Sequence, residues 1–495
     1  MTNFVKSILF VLATTWMTSA QADVTSYFQK IKTDPNALYA FFKEMPKGGE
    51  LHYHLAGGPS PEVMLSLVNQ NNHCLNTETF SVDEENDQCH GVKTKEITDQ
   101  PALYDKIVRS WSFKDFVPGV ESAHDHFFNG FMKYMFIVVN YRPQLIAHVI
   151  KRAAEQNEHY LEIMDIADNA HSTSFGKLIA NTPTYPKKKD ILLNNEEFQK
   201  NINYTIEESE RMELQAKEEL GCATNPQSKN CLIKIKFQYY VLREQTPNNF
   251  FAQALNAFAA VSRSKGNLIG VNLVQPEDGV ISLRDYQQQM RVFNYLHTQY
   301  PQVHIALHAG ELTPDLVSKQ DLAFHIHEAL FIGKAERIGH GVDITHEANA
   351  KTTLAYMAKQ QIPVEINLSS NLHILNVSGS QHPLKYYLDH QVPVVLSTDD
   401  EGVLRTDLTQ QYVTAAIEHQ LDYQTLKHIN RNTLTYAFIP GQSIWTDANK
   451  ALAVVACQDL DSSACIQFIS KNEKAHLQWD LEKSLAAFEK KISFK

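Results

Sequence analysis

The segment Val303-His304-Ile305-Ala306-Leu307-His308-Ala309-Gly310-Glu311 passes from a short apolar run into a histidine, a small residue, a glycine and a carboxylate. Val303 to Leu307 reads as a buried strand. A metal-ligating side chain and a carboxyl at a strand end suit a hydrolytic zinc site at the C-terminal edge of parallel strands. Taken alone, the pattern equally fits a strand end that carries polar residues, so the rest of the chain must supply the context.

Outward from this segment, apolar β-rich runs alternate with longer amphipathic stretches. The other expected strands are Glu50–Leu55, Tyr160–Ile166, Ile233–Val241, Leu268–Val274, Arg337–Gly339, Val364–Leu368 and Val394–Ser397. Crossover helices are expected at Pro143–Asn157, Asn249–Lys265, Leu283–Tyr300, Asp321–Gly333, Asn349–Gln360 and Pro383–His390. Eight strand-then-helix units predict an α/β fold of the (β/α)8 TIM-barrel type, with chemistry where the strands end. A doubly wound sheet is disfavoured because no Gly-rich phosphate loop follows the first strand.

The barrel is expected over residues 46–440, after an N-terminal helical segment at 23–45. Two long insertions, at about 56–158 and 167–232, and a C-terminal helical extension at 441–495 complete the organisation. Residues 1–22 read as a secretory signal peptide, with Lys6, the apolar run Ile8 to Ala13, and Ala20-Gln21-Ala22 as a cleavage site. The apolar run is shorter than the ~20 residues a membrane span needs, so no stable membrane anchor is expected. Export would be periplasmic in a Gram-negative cell and secretory elsewhere.

All six cysteines lie beyond the signal segment, in neighbouring couples: Cys74/Cys89, Cys222/Cys231 and Cys457/Cys465. An even count in an exported chain favours disulfides. Sequence leaves the pairing open, and three local bridges are the simplest arrangement. The formal net charge of −11 argues against nucleic acid as a partner. The one basic cluster, Lys187-Lys188-Lys189, is bracketed by prolines and reads as a solvated loop.

His52-Tyr53-His54 ends the first strand, where a period of two points both imidazoles to one face. His325-Ile326-His327 and His124-Asp125-His126 share that spacing but fall in helices, where i and i+2 diverge. They read as surface or packing histidines. His308 ends the fifth strand, His340 follows the sixth and Asp399-Asp400 ends the eighth. Barrel closure sets strand eight beside strand one, so three histidines and an aspartate can meet. That donor set suits Zn2+, one per chain, with a position left for water, while Fe2+ or Mn2+ stay compatible.

Pro46-Lys47-Gly48-Gly49-Glu50-Leu51-His52-Tyr53-His54-Leu55, His308-Ala309-Gly310-Glu311, Arg337-Ile338-Gly339-His340-Gly341, Asn367-Leu368-Ser369-Ser370-Asn371 and Ser397-Thr398-Asp399-Asp400 together resemble the adenosine deaminase family, in its order. The leader, the cysteines, the insertions and Leu273-Val274-Gln275-Pro276-Glu277-Asp278 look more like its secreted, growth-factor-related branch.

The resemblance implies that His52, His54, His308 and Asp399 hold the metal. It implies that Glu311 protonates purine N1, that His340 orients the hydroxide and takes its proton, and that Asp400 contacts N7. Proton donation at N1 by a carboxyl of raised pKa also follows from the chemistry, because attack at C6 breaks the aromaticity of the ring.

The chain departs from the pattern in three places. Ala56 stands where cytosolic members carry an Asp for the ribose 5′-hydroxyl. Gln275 stands where a glycine contacts the purine edge, so its side chain is expected to narrow or re-aim the pocket, with Glu277 compensating or capping a helix. Glu401 replaces a proline and reads as a solvated acid at a helix start. The block Trp111-Ser112-Phe113-Lys114-Asp115-Phe116 is a candidate apolar lid, with Trp111 and Phe116 over the base.

The expected reaction is hydrolytic deamination of adenosine or 2′-deoxyadenosine to the inosine form with release of ammonia. The same chemistry on adenine, a 5′-modified adenosine or, last, AMP is the first alternative. A secreted nucleoside-binding or signalling protein without activity is the second. The oligomeric state stays open, a homodimer included.

Overall fold

The computed structural model describes residues 24–70, 73–83 and 89–494. Eight parallel strands form one sheet in chain order: β1 Lys47–His54, β2 Glu158–Asp165, β3 Lys234–Leu242, β4 Leu268–Val274, β5 His304–Ala309, β6 Arg337–His340, β7 Val364–Ile366 and β8 Val394–Leu396. The sheet closes where Tyr53 bridges Asp399, with His54 N–H donating to the Asp399 carbonyl at 2.9 Å. The expected (β/α)8 barrel is therefore the fold, each strand lying within a few residues of its expected position.

The strands pack on both faces, which is why they read as apolar runs. Their interior is not wholly apolar. Arg337 on β6 donates to Glu162 on β2 and Glu365 on β7, both at 2.6 Å, and Gln238 on β3 donates to Glu162 at 3.0 Å. Each of these charges is buried and paired, the condition under which such groups are tolerated.

The helices Arg142–Glu155, Pro247–Arg263, Val280–Gln299, His325–Phe331, Ala350–Gln360 and Leu384–Asp389 follow the expected crossovers. At the N-terminus the expected helix is split: residues 24–31 are helical, and a new helix starts at Pro35–Glu44. Asp34 caps it by accepting from Asn36 N and Ala37 N, and Pro35 begins it, so the break is local capping chemistry. The signal-peptide assignment, residues 1–22, lies outside the described residues.

The first insertion carries a three-stranded sheet (Cys74–Leu75, Val82–Asp83, Val92–Lys93) and the helix Ala123–Asn140. The second carries the helices Tyr185–Leu193 and Glu196–Glu219. Lys187-Lys188-Lys189 falls inside the former helix, which corrects the loop reading. Lys188 is buried and donates to Asn248 Oδ1 at 2.6 Å, with its ammonium 5.8 Å from the centre of the Phe251 ring. Disulfides join Cys74 to Cys89, Cys222 to Cys231 and Cys457 to Cys465. No described helix is long and apolar enough to cross a membrane.

Candidate active site

Four side chains from three strand ends meet at the C-terminal edge of the barrel. His52 and His54 come from β1, His308 from β5, and Asp399 from the turn after β8. His54 Nε2 and His308 Nε2 lie 3.1 Å apart. Asp399 Oδ1 lies 3.1 Å from His52 Nε2 and 3.2 Å from His54 Nε2. All four candidate ligand atoms fall within 4.8 Å of one another.

The far side of the cluster is held in place. Glu365 Oε2 takes His52 Nδ1 at 2.7 Å, Asn272 Oδ1 takes His308 Nδ1 at 2.9 Å, and Ser370 Oγ donates to Asp399 Oδ2 at 2.7 Å. These contacts leave the Nε2 atoms of His52 and His308 facing inward, which is how second partners orient metal-binding histidines. Three imidazole nitrogens and one carboxylate oxygen converging on a point fit a divalent cation of the zinc type.

Glu311, His340 and Asp400 border the same point. His340 Nε2 is 3.9 Å from Asp399 Oδ2, and its Nδ1 is 3.6 Å from Glu311 Oε1. Both His340 and Asp399 have φ near +70°, a left-handed backbone that side chains rarely adopt and that clusters at functional sites. Asp400 Oδ1 is buried without a hydrogen-bond partner among the described residues. It fits only because residue 57 is glycine: a Cβ there would stand 2.0 Å from that oxygen.

Burial and neighbouring charge separate the titrations. Burial, then the Asp399 and Glu277 carboxylates, hold the Glu311 carboxyl well above the usual range. Burial, then Asp399, does the same for Asp400. Burial pushes the His340 imidazole down to about 3, against the pull of Asp399, so it is neutral. Its tautomer follows from a relay. Leu384 N donates to His382 Nδ1 at 3.1 Å, His382 Nε2 to Asn371 Oδ1 at 3.0 Å, and Asn371 Nδ2 to His340 Nδ1 at 3.0 Å. The His340 hydrogen is therefore on Nε2, facing Asp399.

The remaining sequence candidates divide. Gln275 keeps the backbone a glycine would use, with φ +88°, but its side chain turns aside to accept from Glu244 N at 2.8 Å. The expected narrowing of the pocket by this side chain is thus not what the contacts give. Glu277 caps no helix; it is buried and accepts from Gly310 N, Glu311 N and His325 Nδ1. Glu401 is a correction: it is 2 % exposed, not solvated, and accepts from Tyr53 OH, Arg152 and Gln156 at 2.7–2.9 Å. The outer face of β1 and the end of the Arg142–Glu155 helix converge on it, and they supply the donors that offset its burial.

Trp111 is buried within the insertion, donating to Phe80 O at 2.8 Å and packing on Tyr134. Phe116 is half-buried against Phe113. Phe113 itself reaches the barrel: its N–H donates to Val403 O, and its ring lies 4.7 Å from His373. His124, on the insertion helix, pairs with Asp278 after β4 at 3.0 Å. His126 Nε2 meets Ser112 O at 3.0 Å, so His124 ties the insertion to the barrel and His126 ties it to itself. Tyr134, not singled out from sequence, is fully buried, its hydroxyl has no hydrogen-bond partner among the described residues, and it lies within electrostatic range of Asp400.

The family model for adenosine deaminase matches residues 198–446. An adenosine deaminase of Klebsiella pneumoniae (strain 342) is 36% identical over 141 residues, 28% of this chain and 39% of that protein. One from Edwardsiella ictaluri is 37% identical over 137 residues, 28% of this chain and 38% of that protein. The matched stretch thus spans about two fifths of the curated relatives' length. Among solved structures, a zinc-bound amidohydrolase from Burkholderia ambifaria aligns with a TM-score of 0.51 at 14% identity, over 91% of this chain and 94% of that one. An N6-methyl-AMP deaminase from Arabidopsis thaliana aligns with a TM-score of 0.51 at 16% identity, over 81% and 94%. These two likenesses are of fold. With the family model covering half of the chain, including β5 to β8 and the residues they carry into the cluster, the protein belongs to the adenosine deaminase family.

Proposed function

We propose that this protein is an exported deaminase that hydrolyses adenosine or 2′-deoxyadenosine to the inosine form with release of ammonia. The observation that carries the reading is the convergence of His52, His54, His308 and Asp399 with a protonated carboxyl on Glu311, a neutral His340 and a partnerless Asp400 oxygen. Held by the four ligand residues, a zinc ion would supply a water acidified to near-neutral pKa.

The other steps belong to the chain. Asp400, protonated in its buried site, donates to N7 and orients the base. His340 Nε2–H holds the attacking oxygen against C6, an orienting role that follows from its tautomer. Glu311 gives its proton to N1 as the C6–O bond forms. Its carboxylate then takes the proton of the C6 hydroxyl and passes it to the amino nitrogen, which leaves as ammonia as C6=O forms. The proton released when the water ionised restores Glu311, so the sum is adenosine plus water to inosine plus ammonia.

A nucleoside rather than a nucleotide is favoured because the buried arginines at this face already face acids or backbone carbonyls of the protein. Arg142 pairs with Asp165 at 2.8 Å, and Arg243 donates to Leu273 O and His308 O. Buried Ala56 in place of a sugar-binding carboxylate supports a second reading, the same chemistry on adenine or a 5′-modified adenosine. Three disulfides support an oxidising, exported setting and the secreted branch of the family. The test is ammonia release from adenosine, deoxyadenosine, adenine, methylthioadenosine and AMP, with Glu311→Gln as control. Turnover of another substrate with adenosine inert refutes the leading reading.

A further inference from the structure

The loop that carries Glu311 has its own buried anchor. Gly310 adopts φ +78°, and a Cβ there would meet Asp343 Oδ1 at 2.5 Å and Ile326 Cδ1 at 2.8 Å. A chain turning this sharply needs its amides tied down. Glu277, from the loop after β4, does this: Oε1 accepts from Gly310 N at 3.0 Å and Oε2 from Glu311 N at 2.9 Å.

Glu277 is 2 % exposed, and its own position is fixed from two sides. His325 Nδ1 meets Oε1 at 2.6 Å, and Arg243 Nη1 lies 3.9 Å from Oε2. His325 is fully buried between Tyr286, whose ring stacks at 3.8 Å and 9°, and the Glu277 carboxylate. Its backbone carbonyl accepts from Tyr286 OH at 2.8 Å. Arg243 is buried too, and one guanidinium nitrogen donates to the carbonyl of His308, three residues before Glu311. Burial alone would raise the Glu277 carboxyl, but the His325 bond, Arg243 and the Gly310 amide hold it at about 2. It is therefore a carboxylate that accepts at both oxygens.

We propose that Glu277, braced by His325 and Arg243, is the positioning residue that sets Glu311 for proton transfer. It acts through the Gly310 and Glu311 amides and does not touch substrate, because both of its oxygens are occupied by the protein. This rests on the deaminase reading of Glu311. A carboxyl that must deliver a proton to one ring nitrogen loses about 10²-fold in rate for a displacement of about 1 Å. The anchor matters for turnover, while the metal ligands and the base pocket are held by other contacts.

The test uses the full-length zinc-loaded protein and the variants Glu277→Gln, His325→Leu and His325→Asn. Glu277→Gln turns one acceptor into a donor opposite an amide. It is expected to lower kcat on adenosine on the order of 10²-fold. KM, zinc stoichiometry and inosine affinity should each stay within about threefold, since the ground-state contacts remain. His325→Leu, which lacks the N–H, should lower kcat about tenfold, and His325→Asn, whose amide replaces Nδ1–H, should recover most of it. Amide exchange read by mass spectrometry on the peptide holding Gly310 and Glu311 should rise about tenfold in Glu277→Gln and His325→Leu.

Unchanged exchange overturns the anchor. Faster exchange with unchanged kcat overturns the catalytic consequence. A parallel loss of kcat, zinc and inosine binding overturns the positioning role in favour of a structural one. If the parent protein is inert on every 6-aminopurine, the deaminase reading fails, while the exchange data still decide the anchor.

Discussion

Replacing Gly57 by alanine isolates the contribution of Asp400. Gly57 has no left-handed backbone, so the substitution brings no φ strain; its cost is steric. An alanine Cβ would stand 2.0 Å from Asp400 Oδ1 and 2.6 Å from Asp400 Cβ and Cγ. Relief to ordinary van der Waals contact, 3.4 Å or more, requires the carboxyl oxygen to move by more than about 1 Å. Asp400 Cβ is itself against the new methyl, so a χ2 rotation alone cannot supply that movement. A misplacement of about 1 Å in a reacting constellation costs on the order of 10²-fold. That corresponds to about 2.7 kcal/mol of transition-state stabilisation. The assay is steady-state deamination of adenosine, with zinc content and thermal midpoint measured on the same preparation. Zinc content should hold at one per chain, because His52, His54, His308 and Asp399 keep their partners. A Gly57→Ala protein that turns over adenosine within about threefold of the parent would refute the placement of Asp400 on the base.

Asn371→Asp replaces the donor to His340 Nδ1 by an acceptor and moves the imidazole hydrogen to the wrong nitrogen. kcat should fall by on the order of 10²–10⁴-fold with zinc retained, the range for a mis-set catalytic tautomer, and an unchanged kcat in this variant contradicts the relay. The rate should hold past the range of an ordinary carboxyl and decline only well above pH ~4.3, since Glu311 must be protonated and burial, then Asp399 and Glu277, raise its pKa. An unshifted carboxyl would lose its proton, and the rate, from pH ~4.3 upward, so a kcat already falling between pH ~5 and ~6 refutes the proton-donor assignment. Chelation should abolish turnover and lower the thermal midpoint by several degrees, reversed by zinc, because a ligand at ~1,000 times its Kd adds about 4 kcal/mol; a midpoint indifferent to chelator would speak against a resident metal. Cys457→Ala with Cys465→Ala should cost ~2–3 kcal/mol by urea unfolding while leaving kcat alone, since the bridge closes a short loop in a satellite core away from the barrel mouth.

The barrel was legible because its strands are apolar on both faces and end in polar motifs, and parallel closure brings β8 to β1 whatever the insertions do. His52, His54, His308, Glu311, His340, Asp399 and Asp400 were readable from those strand ends. Their supports were not. Glu365 and Asn272 orient His52 and His308 from strands distant in sequence. The available signal was a lone polar residue within each apolar run, Val364-Glu365-Ile366 and Val271-Asn272-Leu273, which strand pattern marks as inward but does not assign a partner. Glu401, Lys188 and Glu277 misled for the converse reason. Charged residues near helix starts and prolines usually face water, and only the tertiary arrival of Arg152, Asn248 and His325 makes their burial tolerable. Gln275 shows the same limit: the positive φ persists where a glycine was expected, but the direction of the side chain depends on Glu244.

The central claim is tested most directly by following adenosine with the zinc-loaded protein in ¹⁸O-enriched water. The account predicts one ¹⁸O at C6 of each inosine, one ammonia per inosine, and loss of both signals in Glu311→Gln. Adenosine recovered intact from the zinc-loaded protein, or an undiminished rate in Glu311→Gln, would contradict it.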